Sequence, residues 1–528
     1  MPDFDSLLAA EADVLAAARA AKGAAKRVLV ATSMGGFNHG AMTEKALAVA
    51  LSLRGAQVEF FLCDGGPGCQ LTKIEREPPE SVIESDIRIR CRSCVGDGKK
   101  AFKPTGLKIL KLSQFVTDDH RREAAAIAAS CDIGRIKSLT LDGWAIGEHA
   151  YAGALRFYAR GDISGEPLGD PVARQFVKAS VLTARGIDAV LKRGYDVAVF
   201  NHGIYTPQGV IGEVARSRGV RVVNWNPAYR SQCFIFSHGD SYHHTMIDEG
   251  AATWEGLPLT PERRARVEAY LRDRRQAKAD WIWFNRSADL SADEIRRRLA
   301  LDDRPIALAL TSVVWDACLH YESNAFESLK DWMLQTIAYF RERTDLQLVV
   351  RIHPAEVSGF VKSRDKMGDV IAAAFPELPE NVKVVAPEDD LSTYSLIDMA
   401  NAVLVYSTKT GIEASAAGAP VVVAGEAWIR NKGFTRDAID PHSYRAILDE
   451  LPFADRLSPP LKERALRYAY HFFFRRMIDL PFMTPSGPNL EISVAALKDL
   501  APGRHSGLDA ICDGVLNETP FVHDAVGD

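Results

Sequence analysis

The chain has 528 residues, 47% of them hydrophobic and 25% charged, with a formal net charge of −5. That length exceeds what one hydrophobic core organises, so at least two domains are expected. An ordinary charged fraction with a slight acidic excess excludes the basic-faced class of nucleic-acid binders.

The first residues, "MPDFDSLLAAEADVLAAARAAKGAAKRVLV", read as an alanine-rich amphipathic helix running into a strand. They lack the apolar stretch behind a basic start that marks a secretory signal. No run of 18 apolar residues occurs, so no membrane-spanning helix is expected. The expected location is the cytoplasm, with peripheral association at the inner membrane left open. Residues 27–33, "RVLVATS", form a buried strand, followed by the loop "MGGFNHGAM", the helix "TEKALAVALSLRGA" and the strand "VEFFLCD". Strand, glycine loop, helix and strand make a βαβ opening and predict a parallel sheet. Segment 63–110 is turn-rich and reads as an irregular excursion. It carries Cys63, Cys69, Cys91 and Cys94 among the chain's eight cysteines. In a reducing compartment these are not disulfides by default, and the Cys91/Cys94 spacing makes a structural zinc on the four thiols a candidate beside free or buried thiols.

Helices are expected over about 119–192. The alternation then resumes in "YDVAVFNHGIYTPQGVIGEVARSRGVRVVNW", a strand, loop, helix and strand. Residues 261–300 read as a charged helical arm whose arginines form a solvated face. From 305, five apolar strands, "PIALALTS", "LQLVVRIHP", "NVKVVAP", "AVLVYS" and "APVVVAG", alternate with helices. This is the pattern of a doubly wound α/β domain, in which ligands bind at the carboxyl ends of the strands. The stretch 459–482, "PPLKERALRYAYHFFFRRMIDLPF", reads as one aromatic helix. Consecutive Phe472, Phe473 and Phe474 point in different directions on a helix, so it is expected to be buried on more than one side.

The strand ends carry the chemistry. Thr311, Ser312, Trp315 and Asp316 follow the first of the five strands, and Arg351, His353 and Pro354 the second. Glu388, Asp389 and Asp390 follow the third, and Ser407, Thr408, Lys409, Thr410 and Gly411 the fourth. Small hydroxyl residues and a glycine opening a helix favour phosphate, because free N–H groups and the positive helix end lie there. Glu413, one turn in, is placed to reach a ribose. Pro354 biases His353 to an extended backbone, which holds the imidazole at the strand tip. An Arg351 and His353 cation pair suits a nucleotide phosphate. In the N-terminal half, the glycines of "GGFNHG" permit close ligand approach. His39, His202, Asp64 and Glu213 are candidates for general base. No Walker loop, G-x-S-x-G elbow or H-E-x-x-H helix is present, and no G-x-G-x-x-G follows the first strand.

Together "TSVVWDACLHYESNAF", "VVRIHPAE", "VYSTKTGIEASAAGAPVVVAG" and "YAYHFFFRR" resemble the capsule polysaccharide biosynthesis proteins, bacterial glycosyltransferases related to the Kdo transferases. The resemblance covers about residues 300–480, and the N-terminal half matches only in general layout. The R-x-H-P element is also similar to the His-Pro motif of bacterial sialyltransferases and teichoic acid glycerophosphotransferases, which use cytidine-nucleotide donors. The resemblance implies an α/β protein of GT-B-like architecture, with two Rossmann-like domains facing across a cleft and a C-terminal helix crossing back. The implied division is an acceptor domain over 1–290, a donor domain over 291–465 and a crossing helix and tail over 466–528. The implied activity is transfer of a sugar from a cytidine-linked or other nucleotide-sugar donor to a surface glycan or glycolipid, with no metal or cofactor needed for the chemistry. Arg351, His353, Pro354, Ser407, Thr408, Lys409, Thr410, Gly411 and Glu413 would bind the donor. His39, His202 and Asp316 are the catalytic candidates. Alternatives are a glycerol- or polyol-phosphate transferase with the same donor, and a non-catalytic sugar-nucleotide-binding scaffold.

Overall fold

The computed structural model describes residues 3–20, 26–85, 87, 90–276, 280, 290–317, 319, 324–359, 361–487 and 489–524. Cys318, parts of the quoted "TSVVWDACLHYESNAF" and most of the linker between 277 and 289 lie outside these. Two sheets organise the chain. The first is built from β1 (Arg27–Ser33), β2 (Gln57–Leu62), β3 (Lys108–Lys111), β4 (Val197–Asn201), β5 (Arg221–Pro227) and β6 (Cys233–His238). The second takes β7 (Ile306–Leu310), β8 (Gln347–Arg351), β9 (Val382–Val385), β10 (Ala402–Val405), β11 (Val421–Val423) and β12 (Arg436–Asp437). A further strand, β13 (Ile478–Asp479), returns to the first sheet, whose order is β13-β6-β5-β4-β1-β2-β3, and β14 (Met483–Ser486) and β15 (Asn489–Ile492) form a separate antiparallel pair.

The second sheet has the order β12-β11-β10-β7-β8-β9 and is parallel throughout. Strands β7, β10 and β11 are continuous apolar runs because both faces are covered; every residue of β7, β8, β10 and β11 is buried. Chain direction across this sheet reverses between β7 and β10, and across the first between β1 and β4. These reversals leave crevices at the strand tips. The architecture is therefore α/β and GT-B-like.

Several elements depart from the sequence expectation. Segment 63–110 is not irregular: it holds the helices Pro79–Glu84 and Cys91–Phe102 and ends in β3, which pairs with β2. The glycine loop after β1 is filled by protein rather than kept open for a ligand. A Cβ on Gly35 would lie 2.4 Å from Gly98 N, in the helix Cys91–Phe102. Antiparallel β6 was not expected. The stretch 459–482 is not one helix. An α-helix, Pro459–Tyr470, passes into a π-helical turn, His471–Arg476, and then β13.

That last stretch joins the two halves. Tyr468 OH donates to Trp428 O (2.7 Å) beside the second sheet. A few residues later Arg476 donates to Phe236 O and Phe521 O, and Ile478 pairs with Phe234 of the first sheet. Phe472 and Phe473 are fully buried and Phe474 nearly so, as a chain wrapped from several sides requires. Among the described residues no helix is long and apolar enough to cross a membrane.

Candidate functional site

A cavity of about 270 Å³ opens at the carboxyl ends of the second sheet's strands. Its floor is the junction of β7 and β10, where Val405 is level with Leu310. The residues just beyond are brought together: Ser312 and Ser407 share a hydrogen bond of 2.7 Å, and Thr311 Oγ1 accepts the His353 N–H at 2.9 Å. Tyr229 and His243 line the cavity from the first half of the chain.

Of the nine sequence-predicted donor residues, Arg351, His353, Pro354, Ser407, Thr408, Lys409 and Thr410 line this cavity, while Gly411 and Glu413 do not. Gly411 serves packing, since a Cβ there would stand 2.5 Å from Ile429. Glu413 is buried behind the wall and unites three partners: Arg274 Nη2 at 3.0 Å, Lys409 Nζ at 3.1 Å and the Tyr394 hydroxyl. Burial by itself would raise the Glu413 pKa; the Arg274 and Lys409 charges and the Tyr394 hydroxyl overcome it and hold the carboxylate down to about 2. Its place is that of a counter-ion beneath two cations. Lys409 sits over the Tyr229 ring (4.5 Å) and has its pKa lowered to about 8 by burial and by neighbouring Arg274, against the pull of Glu413. Arg274 also pairs with Asp280.

The expected Arg351–His353 cation pair takes a different form. Arg351 is 3% exposed, and its guanidinium donates to the carbonyls of Ala386 and Asp389, so it braces the loop after β9. His353 is uncharged: burial, then the charges of Lys409 and Arg351, push its pKa down to about 4. Its Nδ1 accepts the Ala355 N–H at 3.0 Å, which assigns the ring hydrogen to Nε2. The strand tip therefore holds a neutral N–H donor.

The three catalytic candidates separate. Asp316 lines the cavity, its side chain 54% exposed. Tyr205 OH donates to its Oδ1 at 2.6 Å, and Arg156 lies 3.9 Å away. The cavity walls partly desolvate it, but Arg156, Tyr205, His202 and His243 together keep its pKa below the usual carboxylate value. His202 is in the left-handed region (φ 68°) with its ring 5.0 Å from Tyr205 and 6.3 Å from His243. Burial lowers His202 to about 4 and His243 to about 3, so both are neutral. His39, in the first turn of the helix Asn38–Leu53, is not among the cavity's lining residues. Asp64 holds the Ser113 N–H (2.9 Å), and Glu213 is paired with Arg216 and His149. Neither lines the cavity.

Sequence reasoning passed over Tyr229, His243, Arg274, Tyr394, Glu426 and Trp428, all of which line the cavity. Arg274 lies in a helix read as a solvated face, yet its side chain is 8% exposed. Glu426 follows the "APVVVAG" strand directly, so the strand-end rule would have found it. Burial pushes its carboxyl up to about 7.

Cys63 feels Cys69, Cys91 and Cys94 as close neighbours; Cys94 Sγ accepts the Gly36 N–H at 3.2 Å, and burial pushes the Cys63 thiol up and that of Cys94 up to about 11. Among the described residues no group of three or more His, Cys, Asp or Glu stands ready to hold a metal ion.

Residues 268–446 match the family model described as capsule polysaccharide biosynthesis protein, which bears out the resemblance over that segment. Similar solved structures include the beta Kdo 2,4 transferase KpsC of Thermosulfurimonas dismutans, with 16% identity, covering 52% of this chain and 79% of that one at a TM-score of 0.34. A glycosyltransferase of Rickettsia africae ESF-5 shares 11% identity over 85% of this chain and 93% of its own, with a TM-score of 0.27. The UDP-GlcNAc 2-epimerase of Neisseria meningitidis, bound to UDP-GlcNAc, shares 10% over 84% and 98%, with a TM-score of 0.24. No curated protein matches by sequence.

Proposed function

We propose that the chain is a glycosyltransferase that moves a sugar from a nucleotide-linked donor, cytidine-based in preference, to a hydroxyl of a surface glycan or glycolipid. The observation that carries this reading is the pair of buried cations, Lys409 and Arg274, held by Glu413 at the β7/β10 reversal and lining the same cavity as the Asp316 carboxylate. A donor phosphate would meet Lys409 Nζ, the hydroxyls of Ser312, Ser407, Thr408 and Thr410, and His353 Nε2–H. As the bond to the sugar breaks, negative charge grows on that phosphate, and donors fixed in advance stabilise it without reorganising. Asp316, kept ionised by Arg156 and Tyr205, would take the proton of the acceptor hydroxyl. His243, neutral and lining the same cavity, would orient that hydroxyl and leave Asp316 the charged base, while His202 lies outside the lining. In this reading the first half of the chain holds the acceptor and the second the donor, the enzyme works in the cytoplasm, and a glycolipid acceptor would bring it to the inner membrane.

A thermal-shift series with CMP, UMP, GMP and AMP tests the reading, because a ligand bound only by the folded state raises apparent stability. CMP should stabilise most. A preference for UMP or GMP would overturn the cytidine assignment alone; no stabilisation by any nucleotide or nucleotide sugar would overturn the donor site.

A further inference from the structure

At one corner of the cavity three buried polar atoms have no hydrogen-bond partner among the described residues: Glu426 Oε2 and Trp428 Nε1, and Oδ1 of the adjoining Asn324. Native structures rarely leave such groups unsatisfied without a reason. Glu426 and Trp428 line the cavity, and Trp428 is only 6% exposed. Both follow β11, and the Asn324 side chain hydrogen-bonds Glu426. Since β11 and β8 flank β10 and β7 on opposite sides, this corner lies across the cavity from His353.

Its chemistry differs from that of the cationic wall. Among the described residues the cation acting on Glu426 is Arg430, and that guanidinium donates to the carbonyls of Gly425 and Ala438. Lys409 is directed to Glu413 instead. The corner therefore offers two acceptor oxygens, one N–H donor and an indole edge, and among the described residues no cation there is directed to a phosphate. A phosphate here would face the Glu426 carboxyl. A ring bearing several hydroxyls fits, since each hydroxyl both donates and accepts. The Trp428 ring is held rigid by Phe472 at 5.2 Å, Tyr242 at 5.4 Å and His243 at 5.5 Å, so its N–H is set in place before a ligand arrives.

We propose that Asn324, Glu426 and Trp428 form a subsite for the sugar ring of the donor, beside the phosphate-holding Lys409 and Arg274. This rests on the nucleotide-sugar reading above and assigns specificity for the transferred sugar to the loop after β11.

Calorimetric titration of the full chain with free CMP, UDP and GDP and with a panel of sugars linked to each separates the two ideas. The subsite requires at least one conjugate to bind more tightly than its free nucleotide. For that conjugate, Glu426→Ala should weaken binding about tenfold or more while leaving the free nucleotide within about twofold. Trp428→Phe keeps the ring, removes the N–H, and should give a smaller loss of the same selectivity. Equal losses for conjugate and nucleotide, or no loss for either in a variant with unchanged melting temperature, would overturn the subsite. So would a panel in which no conjugate outbinds its nucleotide. Failure of every nucleotide to bind the wild type would instead overturn the donor reading itself.

Discussion

Lys409 is the residue whose replacement most directly tests how the cavity holds an anion. Its Nζ lies 3.1 Å from Glu413 Oε1, and its side chain is 15% exposed. A hydrogen bond from a charged donor in such a place contributes about 1.5–3 kcal/mol, so Lys409→Met should weaken nucleotide binding about 10- to 150-fold. The fold should survive, because Glu413 keeps Arg274 and Tyr394. The pH dependence is a sharper mark. With a pKa near 8 in the free protein, Lys409 is mostly charged at pH 7 and mostly neutral at pH 9. An anion binds the charged form, so wild-type affinity should be full below pH 7 and fall about tenfold by pH 9. Lys409→Arg carries a charge that is not lost in this range and should abolish the fall, whatever it does to affinity. Calorimetry with CMP at pH 7, 8 and 9 measures all three. Wild-type affinity that is flat over that interval, or Lys409→Met within twofold of wild type, would refute the reasoning.

His353→Ala should lower CMP affinity by about 1 kcal/mol, the worth of a neutral hydrogen bond, with no change in melting temperature; since the ring is uncharged, the loss should be equal at pH 6 and pH 8. Glu44, buried between Thr32 and Trp225, has its pKa raised to about 8 by burial. Its contribution to stability is complete below the unfolded value of about 4.5 and is lost as pH rises through 8, so Glu44→Gln should flatten denaturation midpoints across that window. Deleting residues from 466 onward should give insoluble protein with or without lipid; a soluble, folded truncation would refute the bridging role of Phe472 and Phe473. Iodoacetamide at pH 8 should modify Cys94 far more slowly than an unstructured cysteine, because burial leaves little thiolate.

The sequence alone determined the parallel α/β plan and the strand tips that line the cavity. Continuous apolar runs such as "IALAL" and "AVLV" have no surface to show water, so they must lie in sheets covered on both faces, and their ends must emerge where helices do not cover them. Ser407 to Thr410, His353 and Asp316 were found in this way. What each does there was decided by tertiary structure. Arg351 reads as a phosphate ligand until its guanidinium is seen on the Ala386 and Asp389 carbonyls. Glu413 reads as a ribose contact until Arg274, from a helix 139 positions earlier, pairs with it. Charge state follows the same rule. His353, His202 and Lys409 owe their shifted pKa values to burial and to neighbours distant in the chain, and local sequence holds no record of either. Periodicity reports which side of an element is dry; it does not report which other element makes it so.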